Sequence, residues 1–293
     1  MKTNQLQSAI ASAFTIPGVI KSISRSKRFQ AAALCALFCA FDGPGVAFAA
    51  DAPAEAKSPV SVTIDVPVLS AYVWRGQVIN NEFVTQPSLT VTKGGFSVNV
   101  VNNVNFTHAL TAKAPELTET DLTLSYTTKI RSLATTFGWI EYQFSNQTVL
   151  DAGGNVKALP GTRELFLNAG LPDLPGTPAV ALYHDFDEIK GTYFVASSGY
   201  SHAFEKEGVT AAISGAVGYG TAGYNKGYFG VNSAAFNDLT LTASAAIKAA
   251  DNLTLTPAVQ YVSLLNRDIR NAAKSVFKDN HQAVYSLKLS YTL

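Results

Sequence analysis

From about residue 62 to the last residue, apolar and polar positions alternate with a period of two, as in strands whose two faces meet different surroundings. In HQAVYSLKLSYTL, Tyr285, Leu287, Leu289, Tyr291 and Leu293 share one face, and Ser286, Lys288, Ser290 and Thr292 share the other. The first such segment sets Ile64, Val66, Val68, Tyr72 and Trp74 against Asp65 and Arg75. The alternation predicts twelve strands, at 62–75, 83–92, 95–106, 119–129, 132–144, 162–171, 178–187, 191–204, 208–219, 235–249, 252–264 and 281–293. Each is close to the ~10 residues that a tilted membrane-crossing strand needs. The faces of 132–144 are ambiguous, because apolar residues occupy both parities there.

Connections alternate in length. Those at 93–95, 129–132, 171–178, 205–208 and 249–252 are short, while 107–118, 145–161, 220–234 and 265–280 are long; 76–82 is intermediate and 185–191 is short. An even strand number with short turns at one end and long loops at the other predicts an all-β fold, a transmembrane antiparallel β-barrel with short periplasmic turns and longer extracellular loops. Aromatic residues fall toward the strand ends in two groups. Tyr72, Trp74, Phe83, Phe106, Tyr142, Phe144, Phe186, Phe194, Tyr219, Tyr261 and Tyr285 lie near the long loops, and Phe96, Tyr126, Phe204 and Tyr291 near the short turns. Two aromatic girdles are expected from this placement. The strand at 281–293 is expected to close against the one at 62–75, which leaves no backbone group unpaired in lipid. Its aromatic alternation resembles the signal read by the barrel-assembly machinery, with Leu293 in place of the usual terminal Phe.

Composition adds a route to the membrane. Only 15% of the 293 residues are charged, below the usual quarter or so. Lys21, Arg25, Lys27 and Arg28 precede the apolar run AAALCALFCAF, which is followed by the small-residue stretch VAFAA. This is the pattern of a secretory signal peptide over 1–50, cut after Ala49 or Ala50, with a short Pro/Ala linker over 51–60 and the barrel over 61–293. The apolar run is shorter than the ~18 residues of a membrane helix. Both cysteines, Cys35 and Cys39, lie in the leader, so no disulfide is expected in the rest. Residues 51–293 carry 17 basic and 20 acidic side chains, a balance near −3. Such a balance does not suit a nucleic-acid partner.

The stretches SAYVWRG (70–76), DLTLSY (121–126), GWIEYQF (138–144) and YHDFDEIKGTYF (183–194) resemble a family of Gram-negative outer-membrane porin-like proteins, the TorF-like group of uncharacterised barrels. The likeness covers most of the barrel segment through short motifs. It implies a channel-type barrel in the outer membrane and names no substrate. Val195 departs from the pattern, since an acidic residue is expected after Gly-Thr-Tyr.

If the apolar parity meets lipid, the other parity lines a lumen, since a basic residue facing lipid near the midplane costs about 2–4 kcal/mol. Twelve strands enclose more than the eight whose side chains fill the interior and less than a large porin. The expected function is passive diffusion of small hydrophilic solutes through a narrow polar lumen. Asp121, Glu141, Glu164, Asp185 and Asp187 are expected to form an acidic pore wall, faced across the barrel by the basic Arg75, Lys248 and Lys288. Such a transverse field would orient dipolar solutes. Arg267, Arg270, Lys274 and Lys278 make the last long loop basic, at a spacing that fits a short inward-folding helix, and lipopolysaccharide phosphates are the expected neighbours of that loop. The other partners expected are the lipid bilayer and the assembly machinery. No cofactor or metal is expected; the acids of DFDE (185–188) read more readily as a solvated turn than as a calcium site. The alternative is a closed structural or ligand-binding barrel. An outer-membrane lipase is a minor alternative, since Ser201 and His202 are strand neighbours on opposite faces and no Gly-x-Ser-x-Gly occurs.

Overall fold

The computed structural model describes residues 60–108, 113–150 and 155–293. The expected leader and the linker through residue 59 lie outside the described residues. The chain opens with β1 (Ser61–Leu69), followed by a small hairpin, β2 (Tyr72–Trp74) and β3 (Gln77–Asn80). Next come β4 (Val84–Thr85), β5 (Ser88–Lys93), β6 (Phe96–Asn105), β7 (Glu116–Ile130) and β8 (Leu133–Phe144). A loop ribbon, β9 (Thr148–Leu150) with β10 (Val156–Ala158), precedes β11 (Thr162–Gly170), β12 (Ala179–Asp185), β13 (Thr192–Phe204) and β14 (Val209–Gly220). Helix α1 (Ala222–Phe229), β15 (Ala235–Ala250), β16 (Leu253–Leu264), α2 (Arg267–Val276) and β17 (His281–Thr292) complete it.

Counting β4 and β5 as one stave broken at Pro87, where no N–H is available for the ladder, twelve antiparallel staves form a closed barrel. Closure is made by β17 on β1, in register from Thr63 opposite Thr292 to Leu69 opposite Ser286. Closure leaves the barrel without a free sheet edge, the condition for crossing lipid with strands.

The register sorts the faces. Ile64, Val66, Val68, Leu89, Val91, Leu165, Leu167, Ile213, Leu241, Leu287 and Leu289 are exposed on the outside. An apolar belt this continuous has no place in water and suits hydrocarbon. Phe83, Phe106, Phe186, Phe194, Phe236, Tyr261 and Tyr285 are exposed toward the long loops, and Phe96, Phe204 and Tyr291 toward the short turns. At the latter end Tyr126 bridges Phe96 and Phe137, with ring centroids 4.6 and 5.6 Å apart. Four expected girdle members turn inward instead: Tyr72, Trp74 and Tyr142 are buried, and Phe144, on the same face of β8 as Tyr142, packs against that interior. The chain leaves the barrel wall after Leu69 and carries Tyr72 and Trp74 into the lumen on the β2–β3 hairpin, so the expected strand at 62–75 is two elements.

Inward positions divide along the barrel axis. Toward the long loops they are buried: Tyr142, Glu164, Tyr183, Tyr193, Leu264 and Val284. Nearer the short turns, Ser97, Asn99, Thr123, Ser125, Ser214, Thr240, Thr242 and Thr254 stay partly exposed. The interior is therefore filled toward the long loops; toward the short turns it is partly open and hydroxyl-lined on β5–β7 and β14–β16, whereas Ala134, Thr136, Asn168 and Ala179 on β8, β11 and β12 are buried there too.

Candidate channel constriction

Three inserted segments fill that mouth. The β2–β3 hairpin pairs Trp74 with Gln77 across a two-residue turn, Arg75-Gly76. Both turn residues have positive φ, 47° and 81°, as the favoured hairpin turn demands. Gly76 suits its place twice over, because a Cβ there would lie 2.6 Å from Leu264 Cδ2 and 2.7 Å from Asp238 Cβ. Helix α1 starts on a Thr221 cap and is anchored by Asn225, which hydrogen-bonds the Ser233 carbonyl and accepts from Asn237 Nδ2 at 2.7 Å. Helix α2 is capped by the Asn266 side chain, which accepts from the Asp268 and Ile269 N–H groups. It buries Ile269 and Ala273, and Phe277 beyond its end meets Phe229 of α1 edge-on at 5.5 Å.

The hairpin tip brings Arg75 to the centre of this plug. Its Nη1 donates to Glu164 Oε1 at 2.8 Å and its Nη2 to Glu164 Oε2 at 2.7 Å, with both residues buried. Tyr142 Oη donates to the same carboxylate at 3.0 Å. The guanidinium carbon lies 4.4 Å from the ring centres of Trp74 and Tyr183, 4.9 Å from Tyr193 and 6.0 Å from Tyr224. A cation among ring faces gains about 0.5–2 kcal/mol per favourable contact. Burial alone would lower the Arg75 pKa, but the adjoining Glu164 carboxylate together with the Tyr142 and Tyr224 phenols outweighs it and holds the group well above its ordinary value. Burial likewise raises the phenols of Tyr224 and Tyr228, which remain neutral hydroxyls. Around the pair, Tyr193 Oη donates to Asp238 at 2.6 Å and Gln77 Nε2 donates to Tyr224 Oη at 3.2 Å. At the hairpin base, Asn80 donates to Asn105 at 3.1 Å.

The expected walls meet here rather than facing each other. Glu164, assigned to the acidic wall, and Arg75, assigned to the basic one, are a bonded pair. Asp185 is buried, and its oxygens are used by the Thr162 hydroxyl and by the N–H groups of Asp187, Ile189 and Lys190, so it shapes the 186–191 turn. Glu141 and Asp187 lie on the outer side, where Arg163 sits 3.6 Å from Glu141 and 3.4 Å from Asp187. The correction for Glu141 comes from register. Tyr142 pairs with Asp121 and Thr162 on the inner face, so Glu141, opposite Leu122, faces out. Asp121 faces inward beside Tyr142. Lys288 also faces inward, buried 3.8 Å from Asp65, whereas Lys248 is at the short-turn end, 2.9 Å from Asp251. Arg267, Arg270 and Lys274 are exposed on α2, and Lys278 follows it.

Sequence reasoning missed the aromatic cage of Trp74, Tyr183, Tyr193 and Tyr224. One signal was present: a glycine directly after Trp74-Arg75 marks a break in a strand and a possible hairpin.

A closed antiparallel barrel that is apolar outside, carries polar groups within and is stoppered at one mouth by inserted segments defines a membrane-type β-barrel. The chain is similar to several solved structures. A KdgM porin in complex with disordered oligogalacturonate matches at 13% identity and a TM-score of 0.43, over 79% of this chain and 98% of that one. The NanC porin matches at 9% identity and 0.46, over 79% and 100%. An outer membrane channel from Pseudomonas putida matches at 9% and 0.43, over 83% and 98%. No family model and no curated protein matches the chain.

Proposed function

We propose that this protein is an outer-membrane channel of Gram-negative type, which lets small hydrophilic solutes diffuse through a lumen constricted by the β2–β3 hairpin. The observation that carries the reading is the contrast within the lumen. The inserted hairpin is outside the barrel ladder, and beneath it lies a vestibule of Ser, Thr and Asn with partly exposed side chains. A barrel serving only as scaffold fills its interior with packed side chains. The short turns are periplasmic in this reading, and the plugged mouth is extracellular. Export uses the leader over 1–50, assembly uses the last strand, and the α2 cations meet lipopolysaccharide phosphates. Inward-facing Asp121 and the Lys288–Asp65 pair bias ion preference.

The test removes the hairpin, the part of the stopper at its centre. Replacing residues 71–81 by a short Gly/Ser link should leave the barrel assembled and give a large, steady conductance in planar bilayers. Liposomes carrying it should swell in small sugars and not in large ones. An assembled variant that stays electrically silent would favour the closed structural barrel and end the channel reading.

A further inference from the structure

We propose that the β2–β3 hairpin is a gate that leaves the lumen as a unit, and that the Arg75–Glu164 pair is its latch. This rests on the channel reading above and adds how passage is regulated.

The hairpin can move without breaking the barrel. Its backbone bonds are internal, pairing Tyr72 with Asn80, Val73 with Val78 and Trp74 with Gln77. Among the described residues a single backbone bond outside the hairpin holds it, from Lys278 N–H to the Val78 carbonyl at 2.9 Å. The chain on either side is fixed to the wall. Ser70 exchanges bonds with Tyr285 through its N–H and its hydroxyl, and the Phe83 carbonyl accepts from Phe106. The movable segment is therefore bounded at about residues 71–82, and neither ladder nor lipid contact is lost when it swings.

What holds it inside is mostly side chains: Tyr72, Trp74 and Val78 are buried, and the Arg75–Glu164 pair is the charged contact among them. A purely apolar tip would stay seated, because water could not compensate its exposure. A buried ion pair behaves differently: seated, its Coulomb gain is offset by desolvation, and unseated, water solvates both charges. The pair therefore adds less to the closed state than apolar groups packed in its place would. Removing one partner leaves the other charge buried alone, which penalises only the closed state. Arg75 also adopts a left-handed backbone, φ 47°, an unfavourable conformation for a residue with a Cβ. The strain belongs to the turn and travels with the hairpin, so it favours neither state.

The sign of each variant follows. R75M and E164Q should each raise the open-to-closed ratio in single-channel recordings by on the order of a hundredfold. R75M/E164L, which removes both charges, should close at least as tightly as the unaltered protein. A second readout needs no conductance. Residues 51–293 contain no cysteine, and Val78 is fully buried, so V78C reports hairpin withdrawal by its rate of reaction with a water-borne thiol reagent. Labelling should be slow in the V78C protein, fast when R75M or E164Q is added, and slow again in the double-neutral background. If the stopper-free barrel conducts while R75M and E164Q leave both gating and labelling unchanged, the latch is refuted and the channel stands. If labelling follows the latch while the stopper-free barrel is silent, the hairpin moves in a protein that is not a channel.

Discussion

Ile213→Arg should cost the barrel about 2–4 kcal/mol, the scale measured for a basic residue at the bilayer midplane, while Ser214→Arg one position along should assemble normally. Ile213 lies mid-strand in β14 opposite Tyr200 and Ala243, and all three belong to the outer face. It is exposed where only acyl chains can cover it. An arginine there is too far from either edge to snorkel without distorting the wall. Ser214, paired with Gly199 and Thr242, looks into the vestibule, where water can hydrate a guanidinium. Assembled fraction, read by heat-modifiable gel mobility, and the urea midpoint check the contrast. Equal assembly of both variants would remove the lipid-facing assignment of β14. S214R should in addition shift ion preference toward anions in the stopper-free protein.

Gly76→Val should unseat the plug and lose about 3 kcal/mol or more, from left-handed strain together with overpacking. The turn holds φ near 81° at this residue, a conformation that β-branched side chains avoid. The added Cβ would also fall inside contact distance of Leu264 and Asp238, both buried on the wall behind it. Retreat of either wall residue is blocked, since Asp238 is bonded to Tyr193 and Leu264 belongs to the packed mouth. The hairpin must back away, and Arg75 withdraws with it. Bilayer recordings of G76V should resemble those of the stopper-free barrel, with a lowered unfolding midpoint of the mouth region. A G76V channel that gates like the unaltered protein would show that the tip does not seat where the geometry puts it.

The comparison of β1 with β2 explains what alternation reveals and where it stops. From Ser61 to Leu69 the period of two corresponds to a real wall strand, because one face must meet lipid and the other the lumen. Through Trp74 the same period continues, yet the chain has already turned inside, and alternation cannot distinguish a wall strand from a hairpin hanging within it. In β8, Trp139, Ile140 and Tyr142 put apolar groups on both parities, so Glu141 was assigned to the wrong side until its neighbours supplied the register. Helix α2 was legible in the spacing of Arg267, Arg270 and Lys274. Helix α1 was not: AGYNKGYF has two glycines and an asparagine, poor helix formers, and its form comes from the Thr221 cap and from packing Tyr224 and Phe229 into the mouth.

By itself the sequence determined the number of staves, their antiparallel order and which side of most of them meets lipid. These properties follow from local alternation and loop length, which each strand carries in its own residues. Only the tertiary structure decided that Arg75 meets Glu164, 89 positions away, that four aromatic rings from separate elements surround it, and that the mouth is stoppered. Those contacts depend on where the long loops fold once the barrel has closed, and no local period encodes a meeting between a hairpin tip and the far wall.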